Sequence, residues 1–180
     1  MQIKDRFVIG AISGLLGALV TGSLTLLLKY FGLVDRSYID FGEALIMIKV
    51  YSGPVAFFLG FMAHLGMGAI LGTYLCYLTK FTGSDYYLTK GFLIGLFAWL
   101  ILLGGGTILH MPVFYHTPPG PSLTVFITSI VWGIITIETV KLLGAQLSSQ
   151  ESEVEDKVEI PFNQGFLIPA RKPKDGNNND

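Results

Sequence analysis

Four long apolar stretches, separated by short polar segments, set the pattern of this chain. They cover residues 7–28, 54–78, 91–109 and 123–143. Each is long enough to cross the roughly 30 Å hydrocarbon core of a bilayer as a helix. The second stretch carries no Asp, Glu, Lys or Arg. The pattern predicts an all-α, polytopic membrane protein: four transmembrane helices in a glycine-rich bundle over residues 1–145. The first run is longer than the apolar region of a secretory signal peptide, about 7–15 residues. It reads as a retained helix.

Within the second stretch, Gly60, His64, Gly68 and Gly72 recur every four residues and share one helix face. Glycines so placed let another backbone approach closely. The first span carries Gly10 and Gly14 in a similar spacing, the third opens with Gly91 and Gly95, and the fourth presents Ser129, Gly133 and Thr136 on one side. The openings Phe7-Val-Ile-Gly10 and Phe92-Leu-Ile-Gly95 echo one another, as two parallel helix hairpins would.

The segment 29–53 is the hardest to read. Asp35, Arg36, Asp40, Glu43 and Lys49 keep it from the hydrocarbon centre, yet residues 44–51 are nearly continuous apolar sequence. Ser37 is placed to cap a helix, with Asp40 three residues on. The expectation is a short interfacial or re-entrant helix, or else a structured external loop.

Composition sharpens the class. Charged residues are 14% of the chain, against roughly 25% in soluble domains, so a membrane interior is the natural solvent. The net charge of -1 offers no footing for nucleic acid. Cys76, the lone cysteine, excludes an intrachain disulfide and reads as a buried thiol. Lys4, Arg6, Lys80, Lys90, Lys141 and the basic residues of the tail fall on one side of a four-span topology; Lys29, Arg36 and Lys49 fall on the other. The positive-inside rule then puts both termini in the cytoplasm. The tail, residues 146–180, is acidic and reads as largely disordered, broken by apolar clumps at 160–162 and 166–169.

Candidate chemistry gathers at mid-membrane. At about 1.5 Å per residue, His64, Trp99 and Trp132 all fall near one depth, with Thr21 close by. Tryptophan favours the interfaces, so two at the centre imply buried N–H groups seeking acceptors. His64, Trp99 and Trp132 are therefore the candidate binding residues: a hydrogen-bonded packing knot, or a ligand, ion or proton site. Direct bonds from His64 to a tryptophan or a helix hydroxyl are expected. His110 and His116 lie in a proline-rich outer loop, away from His64, as surface histidines of a stiff lid. Gly104, Gly105 and Gly106 form either a close contact, a frayed helix end, or an unwound turn with carbonyls free for a cation. Glu138 and Lys141 read as an interfacial pair. No Ser-His-Asp arrangement, phosphate loop, HExxH or CxxC occurs, and no catalytic residue, metal or cofactor is called for.

The run from Thr82 to Leu100, TGSDYYLTKGFLIGLFAWL, and the opening QIKDRFVIGAISGLLGALV resemble a family of small four-span membrane proteins of spore-forming Gram-positive bacteria. The resemblance covers residues 2–143 and implies architecture and an inner membrane. It carries no activity and no catalytic residue. The expected function is that of a non-enzymatic structural or accessory membrane component. Its partners are the lipid bilayer and either a second copy or a membrane protein packed through glycine faces. A small transporter, channel or cofactor-binding subunit centred on His64 is the alternative.

Overall fold

The computed structural model describes residues 5–47, 51–83, 85–111, 113–114 and 117–157. Among these the secondary structure is helical. Helix α1 is Arg6–Tyr30, α2 is Tyr38–Met47 and α3 is Pro54–Thr82. Helix α4 runs over Tyr87–Ile108 and contains a π-helical stretch at Leu100–Gly105. Helix α5 is Pro119–Lys157. The polytopic fold expected from the sequence is present: α1, α3, α4 and the Pro119–Ala145 part of α5 are long and apolar enough to cross a membrane. Each begins at or before the span read from hydropathy, and all but α4 end beyond it.

Two antiparallel hairpins make the frame. Helix α1 lies on α3 through Gly10, Gly14, Gly68 and Gly72. A Cβ on Gly72 would stand 2.5 Å from the Gly10 carbonyl oxygen, so only glycine permits this approach. Helix α4 lies on α5 the same way: a Cβ on Gly95 would stand 2.5 Å from the Ser129 carbonyl oxygen. Gly10 and Gly95, the glycines of the two echoed openings, thus each sit in the seam of their own hairpin. Lipid is as apolar as leucine, so close backbone packing has to replace hydrophobic burial as the cohesive force here. The halves join along α1 and α5, where Gly17 makes room for Thr136 and Trp132.

Helix α2 settles the segment between the first two spans. Asp40 accepts from the Ser37 N–H at 2.6 Å and from its hydroxyl at 2.9 Å, which fixes the start of the helix. Asp40 also holds Lys29 at 2.7 Å. The helix packs against the bundle. Tyr38, Ile39, Phe41, Gly42, Glu43 and Ala44 are buried, and Gly42 crosses α3 at Gly60. Lys49 falls outside the described residues, so the relation of that charge to Glu43 is not part of the described structure.

The end of the bundle that holds Lys29 and Arg36 is closed by side chains. Arg36 donates to the Val113 carbonyl. Phe114 seats in the notch left by Gly106 and meets Phe41 at 5.1 Å between ring centroids. The glycine triplet is therefore split in its uses. Gly106 receives Phe114, while Gly104 and Gly105 have open space around them and lie in the π-helical stretch instead of an unwound turn. The opposite end carries Arg6, Lys80, Lys90 and Lys141. There Tyr87 donates to Glu138 at 3.0 Å, and the Lys141 ammonium lies 4.0 Å over the Tyr87 ring. The expected Glu138–Lys141 pair is thus mediated by Tyr87.

Helix α5 continues to Lys157, past the end expected from hydropathy. A nucleated helix propagates readily through residues such as Gln, Glu and Lys. The remainder of the tail, with its apolar clumps and basic residues, lies outside the described residues, as do Lys4, Pro112, Tyr115 and His116.

Candidate mid-membrane site

The face of α1 that meets the other helices is built from small residues: Gly14, Gly17, Ala18 and Gly22. With no bulk over them, their backbone carbonyls can accept a second hydrogen bond from a neighbouring helix. His64 of α3 takes one of these. Its Nε2 lies 2.9 Å from the Ala18 carbonyl oxygen. A carbonyl can only accept, so Nε2 carries the proton. Trp132 of α5 takes another, its Nε1–H donating to the Gly14 carbonyl at 3.2 Å. Ala18 and Gly14 are one helical turn apart, so both side chains converge on the same stretch of α1.

The expected direct bond between His64 and a tryptophan is therefore absent, and so is one to a helix hydroxyl. Thr21, the anticipated hydroxyl, donates at 3.0 Å to the Gly17 carbonyl of its own helix. The Gly14 carbonyl, brought within reach by the glycine seam, takes the Trp132 indole N–H in place of the imidazole nitrogen. Trp99 takes a different place. It packs on the cluster of Tyr38, Phe41 and Phe114 and meets Phe126 edge-on at 5.2 Å. Its Nε1 is enclosed without a hydrogen-bond partner, as are the hydroxyls of Ser13 and Thr136.

Sequence reasoning missed Tyr38. Its ring stacks on the His64 imidazole at 4.9 Å and 16°. Its hydroxyl donates toward the Val125 carbonyl at 3.1 Å, meets Ser129 Oγ at 2.8 Å and accepts from Thr128 at 3.0 Å. Its backbone N–H donates to Thr25 at 3.3 Å. One residue of the short helix thus touches α1, α3 and α5. The usable signal was its place straight after the Ser37 cap, where a tyrosine begins a buried helix and its hydroxyl needs a partner.

These residues border a cleft of about 80 Å³ between α2, α3, α4 and α5. Thr21, Tyr38, His64, Ser129 and Trp132 are the lining residues with polar side chains; the remaining wall is apolar, including Ala98 and Leu102 of α4. Leu45 and Met67 also line it and are 41% and 40% exposed, so they form a rim toward the bilayer. Helices α3 and α4 touch sparingly, which leaves this side open. Leu102 sits in the π-helical stretch, a wider turn that re-aims side chains and recurs at functional sites. Trp99 is not among the lining residues.

Other candidates lie elsewhere. His110 is exposed beyond the end of α4, with Nδ1 3.0 Å from the Ile108 carbonyl oxygen. Cys76 is buried near the opposite end of α3. Among the described residues, no three His, Cys, Asp or Glu side chains gather as metal ligands. Glu43 is buried against Gly60, and burial, then the nearby Asp40 carboxylate, push its carboxyl above the usual range despite Lys29. Compared with known protein families, curated proteins and solved structures, the chain matches none.

Proposed function

We propose that this multi-pass protein is a non-enzymatic accessory component of a bacterial inner membrane. The observation that carries the reading is how the mid-membrane donors are used. His64 and Trp132 both spend their N–H groups on carbonyls of α1, one from each half of the bundle. These ties knit α3 and α5 to a common helix, which is the work of a scaffold. The basic end with Arg6, Lys80, Lys90 and Lys141 faces the cytoplasm in this reading, and the resemblance to a four-span family of Gram-positive bacteria agrees with that membrane. A second copy or a membrane partner docks on the lipid-facing surface, because the glycine seams are occupied within the chain.

Reconstitution into liposomes tests the reading. An accessory component leaves proton, sodium and potassium flux at the level of empty vesicles. Flux that scales with protein and disappears in His64→Leu would replace it with a transporter or channel. The specific observation behind that second class, a binding role at His64, is the cleft itself.

A further inference from the structure

His64, which lines the cleft, has an unused acceptor. His64 Nε2–H is committed to Ala18, and a charged imidazole at this depth is expensive, so the neutral ring carries its lone pair on Nδ1. Nδ1 has no hydrogen bond among the described residues and is not sealed in by protein atoms. The other polar groups at the cleft are engaged: Tyr38 with Ser129 and Thr128, Thr21 with Gly17, Trp132 with Gly14.

From this we infer that the cleft binds the head of a neutral, single-chain amphiphile bearing one O–H group, which enters from the bilayer past Leu45 and Met67 and donates to His64 Nδ1. The inference goes beyond the accessory role and does not depend on it.

Three observations select this occupant. The first is volume. The cleft holds about 80 Å³, roughly half the 150 Å³ that admits benzene in an engineered protein cavity. It accepts a hydroxyl and a few carbons and excludes ring cofactors. The second is polarity. Water needs two to four polar partners, and one free lone pair in an apolar wall does not supply them. Plain hydrocarbon fills the wall but leaves Nδ1 desolvated and unpaired, which costs the acceptor its compensation. An O–H group on an aliphatic chain satisfies both. The third is access. The rim residues stand where acyl chains lie, so the rest of the ligand's chain remains in the bilayer.

The test uses the full chain in nanodiscs, labelled with ¹⁵N-histidine, with His64 assigned by its loss in His64→Gln. The probes are 1-decanol and n-decane. The Nδ1 resonance should shift with decanol, saturate, and report binding roughly tenfold tighter than any effect of decane, as one added hydrogen bond allows. The Nε2 resonance should stay still. Ala98→Phe, which fills the cleft, should abolish the response; Ala98→Leu serves if the larger change prevents folding. Equal responses to decanol and decane, or a decanol response that survives both fillings, would overturn the inference. Decanoic acid, set against decane at each pH, then separates the natural sources. A response confined to the protonated acid places fatty acids in the class, none at all restricts it to alcohols, and a response to ionised decanoate would overturn the requirement for neutrality.

Discussion

Replacing Gly72 by leucine should part α1 from α3. A Cβ at that position would lie 2.5 Å from the Gly10 carbonyl oxygen and 2.5 Å from the Gly14 Cα. Both obstacles are backbone, so no side chain can swing aside. Ordinary contact begins at 3.4 Å, so the helices must separate by about 0.9 Å before the rest of the leucine is placed. A gap of about 0.5–1 Å forfeits a quarter to a half of each dispersion contact it opens. The seam includes Gly10, Gly14 and Gly68, and next to it the 2.9 Å bond from His64 to Ala18. Lipid offers no hydrophobic repayment. Overpacking of this kind typically costs about 1–3 kcal/mol, and the stretched hydrogen bond puts Gly72→Leu in the upper half of that range. Gly66→Leu is the control. It makes the same chemical change on the same helix, at an exposed glycine with nothing within 4 Å of its would-be Cβ. Thermal unfolding in detergent, followed by circular dichroism and size exclusion, should show Gly72→Leu melting about 4–12 °C lower and Gly66→Leu unchanged. Equal melting of the two variants would refute the account of the seam.

Further predictions concern the polar ties and the orientation. His64→Gln keeps a donor for Ala18 and loses the stack on Tyr38, whereas His64→Leu loses both; the second should be less stable by about 0.6–2 kcal/mol in detergent unfolding, and equal stabilities would count against the Ala18 bond. The raised carboxyl of Glu43 means that the folded state holds its proton more tightly than the unfolded state. Its contribution is therefore greatest at low pH and falls as pH rises from the unfolded value through the folded one. Glu43→Gln should flatten that fall and melt higher at neutral pH, and an unchanged pH profile would remove Glu43 as its source. In a Cys76→Ala background, a membrane-impermeant thiol reagent applied to intact cells should label Asp35→Cys and spare Asp85→Cys; the reverse result would invert the proposed topology.

The parts of this fold that depend on a helix's own periodicity could be read directly. The four-residue recurrence of Gly60, His64, Gly68 and Gly72 marks a buried face whatever it faces, because a missing Cβ has no other use at that spacing. What covers that face could not be read. A glycine records that something comes close without recording which helix, and the stripe turns out to serve two, α2 at Gly60 and α1 at Gly68 and Gly72. The same limit applies to the polar atoms. His64 and Trp132 were identifiable as buried donors, but their acceptors are backbone carbonyls, and carbonyls are invisible in a sequence because every residue has one. Depth counting placed Trp99 with them, yet its ring meets Phe126 and is not among the residues that line the cleft beside its neighbour Ala98. Tyr38 was overlooked because its importance lies in long-range partners on α5, which local pattern does not encode.

The back-bonded threonines of α1 bear on how the chain is made. Spans leave the ribosome in order, at roughly 5–20 residues per second, so the α1–α3 hairpin can close seconds before α5 exists. During that interval the side of α1 destined for Trp132 and Thr136 is bathed in lipid. Thr21 and Thr25 on that helix donate to the Gly17 and Gly22 carbonyls of their own backbone, so neither hydroxyl proton depends on a helix still to be synthesised. Only the Tyr38 hydroxyl waits for α5 among these bonded groups, so expression as two separate fragments, divided in the turn after α3, asks whether they find each other within the bilayer.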